Sequence, residues 1–469
     1  MTAPQFDNSY IALPARFFAA AAPAGSPNPQ LLALNRPLAA RLGLDADWLA
    51  GPEGLAMLAG NALPPGAASI AQAYAGHQFG QLTPQLGDGR ALLIGEVVAP
   101  DGKRFDLQLK GSGPTAFSRQ GDGLAWLGPV LREYLDSEFM AAMRVPTTRA
   151  LAAAATGGIV QREALLPGGI LTRVAASHIR VGTFEYFALR GDVEALRALT
   201  DHVIQRHFPQ AQNPLQLLQA VVAAQAALIA QWMALGFIHG VMNTDNMAVS
   251  GETIDYGPAA FMDGYHPDMV FSSIDRRGRY AWAQQPQVAV WNLAQFASCL
   301  IPLMGEDEEK AVEEATRAVH AFPQIYQAAW ARRFAAKIGL PPSDVAIELV
   351  NRLLDLMATS QADFTRSFAG LADGSARDEF LDRADFDAWA ADWRAAGPDA
   401  ALMAAANPLR IPRNHRIEEA IQAAVAGDMA PFQRLEAALT HPFEARPEWA
   451  DLSRAPAPSE RVLRTFCGT

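Results

Sequence analysis

The chain has 469 residues, half of them hydrophobic and 19% charged; Lys plus Arg number 38 against 49 Asp plus Glu, for a formal net charge of −11. So much apolar material excludes a disordered chain, and two distant cysteines, Cys299 and Cys467, exclude a disulfide scaffold or a four-cysteine zinc site. The acidic balance argues against nucleic acid as a partner, because phosphate neutralisation needs clustered Lys and Arg.

Residues 1–75 are rich in Ala and Pro and read as an N-terminal extension packing on the rest. One short helix is predicted there, capped by Asn28, with Pro29 at its first position and Pro37 limiting it. Met1 to Tyr10 shows neither a basic nor an apolar leader, so the expectation is a cytoplasmic protein. Ala91–Val98 and the alternating Phe105–Lys110, joined by Pro100-Asp101-Gly102-Lys103, predict a β-hairpin with one buried face. A Gly-rich stretch, residues 111–123, leads into a predicted helix over Gly128–Met143. Two further short strands are expected at Gly158–Glu163 and Gly169–Ala175. After Ser177, read as a helix cap, the chain turns helical, apart from two small strands around Ser250-Gly251. The apolar window Leu215–Ile238 carries Gln216, Gln219, Gln225 and Gln231, which favours a buried helix over a membrane span. The fold class is therefore α+β: a small sheet-rich lobe over residues 76–176 with one key helix, then a larger helical lobe over 177–469. A cleft between two such lobes is a place for a ligand.

The sharpest motif is His239-Gly-Val-Met-Asn-Thr-Asp-Asn246, followed nine residues later by Asp255-Tyr256-Gly257. A hairpin between them would bring Asn246 and Asp255 together as oxygen ligands for a hard divalent ion. Asp245 stands beside them as a proton acceptor. Asn and Asp also favour turns for backbone reasons alone. The seven-residue spacing from His239 to Asn246 is that of kinase catalytic loops, but Val241 fills the place of their catalytic Asp. Upstream, Gly87 and Gly89 would let backbone amides approach a phosphate, with Arg90 adding charge; a plain turn explains them equally. Lys110 ends the second strand, where kinases keep a phosphate-holding lysine, and Glu133 is its candidate partner. Periodicity alone places both on solvated faces. Arg173 and Arg180 suit bidentate phosphate contact, or are two surface arginines.

Together these segments resemble the selenoprotein O family, protein adenylyltransferases with a protein-kinase-like, pseudokinase fold. The resemblance is carried by Tyr74-Ala-Gly-His-Gln-Phe-Gly80, Gln108-Leu-Lys-Gly-Ser-Gly-Pro-Thr115, Thr147-Thr-Arg-Ala-Leu151, Leu171-Thr-Arg-Val-Ala175 and the stretch Ser177–Tyr186. It continues through His239–Met247, Asn407-Pro-Leu-Arg-Ile-Pro-Arg-Asn-His415 and the terminal Thr465-Phe-Cys-Gly-Thr469, nearly the whole chain. It implies transfer of AMP from ATP to Ser, Thr or Tyr hydroxyls of protein substrates, with Mg²⁺ or Mn²⁺ and release of pyrophosphate. By position it implies ATP contacts at Gly87, Gly89, Arg90, Lys110, Asp122, Gly123, Arg173, Arg180 and Asp255, with Glu133 supporting Lys110. Asp245 matches the family's proton acceptor, and Asn246 and Asp255 its metal ligands. Leu124 and Gly128 depart from the family, standing where it commonly carries arginines. Cys467 occupies the position of selenocysteine in some eukaryotic relatives and is the one redox candidate, since Cys299 lies in an apolar helix. Two other readings stand beside this one: a small-molecule phosphotransferase of the aminoglycoside-kinase type, and a non-catalytic ATP-binding pseudokinase. No membrane partner is expected.

Overall fold

The computed structural model describes residues 2–466. Strands β1 (Phe18–Ala20), β2 (Gln30–Leu34) and β3 (Ile70–Gln72) precede a separate hairpin of β4 (Gly76–Gln78) and β5 (Gln81–Thr83). Then come β6 (Ala91–Val98), β7 (Arg104–Lys110), the short β8 (Ala125–Trp126), β9 (Arg149–Gln161) and β10 (Leu165–Ala175). An antiparallel sheet runs in the order β1-β3-β6-β7-β10-β9-β2, with β8 on β10. Helices α1 (Arg36–Arg41), α2 (Ala46–Ala50) and α3 (Pro52–Leu58) cover one face of it. The long α4 (Leu127–Ala142) contacts β9 and β10. From α5 (Val181–Ala188), α6 (Val193–His207) and α7 (Pro214–Ala234) onward the chain is mostly helical, with α8 (Gln285–Leu300) beside α5 and α7. The architecture is α+β, as the sequence predicts.

Several local expectations are corrected. Residues 30–34 form a strand, not a helix, because Gln30 to Leu34 pair with Ala155 to Ala152 on β9. The helix starts later: Asn35 caps α1 by accepting the Leu38 amide at 3.0 Å, with Pro37 inside its first turn. Residues 1–75 thus give the sheet three strands and cover it with three helices. Ser177 does not cap α5, whose N-cap is Arg180; its hydroxyl instead meets His207 Nε2 at 2.8 Å. The two small strands around Ser250-Gly251 do not pair with each other. Ala248 bridges to Arg180 and Thr253 to Thr147, so the turn is pinned between two other segments.

The alternation of β7 sorts its faces correctly, but both are covered. Leu107 and Leu109 pack with Leu38, Trp48, Leu49 and Leu58 from α1–α3. Asp106 and Gln108 are also buried, on the face turned to the charged cleft. Among the described residues α7 is the one helix long and apolar enough to cross a membrane, yet 72% of its apolar window is buried in the fold. Its Gln225 amide donates to the Ala248 carbonyl at 2.8 Å, behind the cleft. Cys299 on α8 is buried, its thiol turned to the Gln295 carbonyl at 3.2 Å, as expected of a small core residue. Cys467 lies outside the described residues.

Candidate active site

A cavity of about 1120 Å³ opens between the sheet and the helical part. Its wall contains Gly87, Gly89, Arg90, Lys110, Asp122, Gly123, Arg173, Arg180, Asp245, Asn246 and Asp255. These residues are spread over 169 positions of sequence (87 to 255), and tertiary structure brings them to one surface.

Asp255 is the hub. Lys110 Nζ donates to its Oδ1 at 2.8 Å, Arg173 Nη1 to the same oxygen at 2.6 Å, and Arg180 Nη1 to Oδ2 at 3.1 Å. Burial alone would raise this carboxyl, but the three cations hold it well below the usual carboxylate range. Its backbone sits at φ +63°, a left-handed conformation that a non-glycine residue occupies only where its surroundings enforce it. Lys110 also pairs with Glu133, which is 4% exposed. The expectation of a solvated Glu133 fails because α4 packs on β9 and β10, where Glu133 meets Lys110 and Arg173, and also on helices from the C-terminal part, so nearly all of its residues are buried. Arg173 is opposite Gln108 in the β7–β10 register and donates to its Oε1 at 2.5 and 3.1 Å. Arg180 stacks 4.5 Å over the Tyr74 ring and donates to the Asp245 carbonyl at 2.8 Å. Neither arginine is a surface residue.

Two Gly-rich segments clasp each other at one end of the cavity. Thr115 Oγ1 donates to the Asp88 carbonyl at 2.6 Å, and Ser118 Oγ to the Gly89 carbonyl. Gly87, at φ +83°, lies under the Phe117 ring, where a β-carbon would come within 2.3 Å. Asp122 is committed to Arg162 through contacts of 2.7 and 3.0 Å, and Arg162 lowers its carboxyl. The Leu124 amide caps the same carboxylate at 3.0 Å, so this position takes part through its backbone. Gly128 sits against the Trp126 ring, and a β-carbon there would fall 2.0 Å from it. A long side chain does not fit.

Asp245 is 7% exposed, and burial pushes its carboxyl up to about 6 against the pull of Arg180. Its Oδ1 has no hydrogen-bond partner among the described residues. The Asn246 amide nitrogen donates to the Val241 carbonyl at 2.9 Å, which leaves Oδ1 as the remaining acceptor atom of that side chain. His239 Nε2 contacts the Ile254 carbonyl at 2.8 Å, tying the 239–246 segment to the residue before Asp255. Among the described residues no three His, Cys, Asp or Glu side chains form a preformed metal cage. The donors present, one amide oxygen and one carboxylate, fit a Mg²⁺-like ion that takes its remaining oxygens from phosphate and water. Sequence reasoning missed Asp88, Gln78 and Arg162, which also line the cavity. Asp88 is 2% exposed and accepts from the Gln72 amide and Gln108 Nε2. Its flanking glycines were the available signal.

Comparison with known proteins agrees with the motif resemblance. A family model described as "Protein adenylyltransferase SelO" matches residues 1–440. The protein nucleotidyltransferase YdiU of Ruegeria sp. is 59% identical over 470 residues, covering 99% of each chain. Proteins of the same name from Roseobacter denitrificans and Bradyrhizobium diazoefficiens are 58% and 56% identical, covering 100% and 99% of both chains. By class the protein is a transferase, a protein nucleotidyltransferase. The chain belongs to the SelO family of protein adenylyltransferases.

Proposed function

We propose that this enzyme transfers AMP from ATP to a Ser, Thr or Tyr hydroxyl of a protein, within a bilobal, protein-kinase-like arrangement of residues 76–176 and 177–469. The observation that carries the reading is the convergence of Lys110, Arg173 and Arg180 on Asp255, beside the buried Asp245. Three cations held by one carboxylate form a site that triphosphate oxygens can enter by exchange, and the glycines at 87, 89 and 123 admit backbone close to a phosphate.

In the reaction the acceptor hydroxyl attacks the α-phosphorus. A new oxygen–phosphorus bond forms, the bond from that phosphorus to the α,β-bridging oxygen breaks, and pyrophosphate leaves. The hydroxyl proton passes to the Asp245 carboxylate, whose raised affinity for protons suits a base. Arg173, Arg180 and Lys110 stabilise negative charge on the leaving group. Asn246 and Asp255 would hold Mg²⁺ or Mn²⁺, which when bound neutralises phosphate charge. Glu133 keeps Lys110 in place.

ATP labelled at the α- or the γ-phosphate separates the readings. Label from the α-position on protein is the expected result. Transfer of the γ-label would point to a phosphotransferase and overturn the proposal, and ATP binding with no transfer would favour the non-catalytic reading. Arg180→Ala should weaken ATP handling, and an unchanged ATP dependence would remove its phosphate role.

A further inference from the structure

The β4–β5 hairpin takes no part in the chemistry above, yet it lies along the segment that carries it. The His77 amide donates to Thr244 Oγ1 at 2.7 Å, and the Phe79 amide to Asn243 Oδ1 at 3.1 Å. The Thr244 hydroxyl donates onward to Glu185 Oε2 at 2.6 Å, while His77 Nδ1 contacts Glu185 Oε1 at 2.6 Å. A single carboxylate on α5 therefore ties hairpin and loop together. On the far side the Tyr280 hydroxyl donates to Asn243 Oδ1 at 2.6 Å. Thr244 is wholly buried and Glu185 is 4% exposed, so water does not compete for the bond between them.

Packing completes the arrangement. A β-carbon on Gly76 would stand 2.4 Å from Asp245 Oδ1. A β-carbon on Gly182 would stand 2.1 Å from the Ala75 carbonyl oxygen, and the Gly182 carbonyl accepts the Ala75 amide at 2.9 Å. Two glycines thus let hairpin, helix start and Asp245 share one narrow space. Asp245 Oδ1 lacks a hydrogen-bond partner among the described residues, and Oδ2 accepts from Gln78 Nε2 of the same hairpin at a long 3.5 Å. The carboxylate's position therefore depends on the hairpin's packing, on that contact and on the bonds of its neighbours.

We propose that the β4–β5 hairpin is a positioning clamp for Asp245, with Gly76 as its seat and the His77–Glu185–Thr244 network as its lock. The proposal rests on the base role given to Asp245 above. These residues touch neither ATP nor acceptor; they act by holding the Asp245 carboxylate where the attacking hydroxyl arrives. Misplacing a reacting group by about 1 Å can cost on the order of a hundredfold in rate.

The test measures kcat and the ATP KM of AMP transfer for Gly76→Ala, Thr244→Val, Thr244→Ser and Asp245→Asn, with thermal melting and affinity for a non-hydrolysable ATP analogue. Gly76→Ala and Thr244→Val are expected to lower kcat roughly ten- to hundredfold while ATP KM and analogue affinity stay within about twofold of wild type. Thr244→Ser, which keeps the hydroxyl, should regain most of the rate. Wild-type kcat in both Gly76→Ala and Thr244→Val, or a loss confined to ATP affinity, overturns the clamp. If Gly76→Ala does not fold, the Thr244→Val and Thr244→Ser pair decides alone. Full activity in Asp245→Asn would overturn the role of Asp245 itself. An inactive Asp245→Asn beside fully active Gly76→Ala and Thr244→Val would overturn only the clamp.

Discussion

At the scale of single residues, the buried charges around Asp255 balance one another, and each has a named counterpart. Removing the Asp255 carboxylate leaves Lys110, Arg173 and Arg180 with Glu133 and Asp88 as their nearby anions. Asp255→Ala should abolish the proposed AMP transfer and lower stability by about 3 kcal/mol, because three buried cations are then left with only two carboxylates. Retained activity in that variant would contradict the site assignment. Asp136, on the turn of α4 after Glu133, is the opposite case. It is 1% exposed, neither oxygen has a hydrogen-bond partner among the described residues, and burial pushes its carboxyl up to about 8. The folded carboxyl holds its proton where the unfolded one, with an ordinary value of about 4, has lost it. Stability is therefore lost as pH rises between these values, by up to about 1.4 kcal/mol per pH unit. Asp136→Asn cannot ionise, so its melting temperature should gain on the native protein as pH is raised from about 5 to 8. Equal pH profiles for the two proteins would show that Asp136 is ionised in the fold.

At the scale of elements, α4 couples the cavity to the C-terminal helices. Arg132 and Glu133 are neighbours on it, and they look in different directions. Glu133 holds Lys110, while Arg132 donates to Asn414 Oδ1 at 2.9 Å and Glu418 Oε1 at 2.5 Å. The Tyr134 ring meets Phe432 edge-on at 5.6 Å. Arg132→Ala should lower stability by about 1–3 kcal/mol and raise the ATP KM several-fold, since α4 would no longer hold Glu133 firmly. Steady-state kinetics with an unchanged ATP KM would uncouple the two ends of the helix. The Gly-rich clasp supplies a second case. Gly87→Val places side-chain atoms in the Phe117 ring and forces a β-branched residue to φ +83°. ATP affinity measured by titration should fall sharply while the fold persists. How much of these elements is legible in the sequence depends on which partner they need. The hairpin β6–β7 and helix α4 show in the periodicity, because each carries its own apolar stripe. Strand β2 does not, because Gln30 to Leu34 becomes a strand only against β9, more than a hundred residues away.

At the scale of the whole molecule, the core is shared from end to end. Phe17 near the N-terminus and Phe432 and Leu435 near the C-terminus belong to one cluster of buried side chains with Phe139 and Phe184. A chain ended before Asn407 would lose the helices Asn414–Val425 and Ala430–Leu439, which pack on α4. It should give no cooperative melting transition, and a sharp transition with ATP binding intact would show that the cavity stands without them. The charge of −11 is likewise a property of the surface as a whole, whereas the cavity gathers Arg90, Lys110, Arg173 and Arg180 on its wall. An acidic protein can therefore serve an anionic substrate.

By itself the sequence determined the α+β class, the family and many, though not all, of the residues that line the cavity, because motif chemistry is written in residue types and short spacings. Only the tertiary structure decided that the polar face of β7 is buried, that Glu133 meets Lys110, and that three cations close on Asp255. It alone laid the β4–β5 hairpin across Thr244 and Asp245. The physical reason is common to all of these. Periodicity tells the two faces of an element apart, but whether a face meets water or a second layer depends on chain that lies far away in sequence.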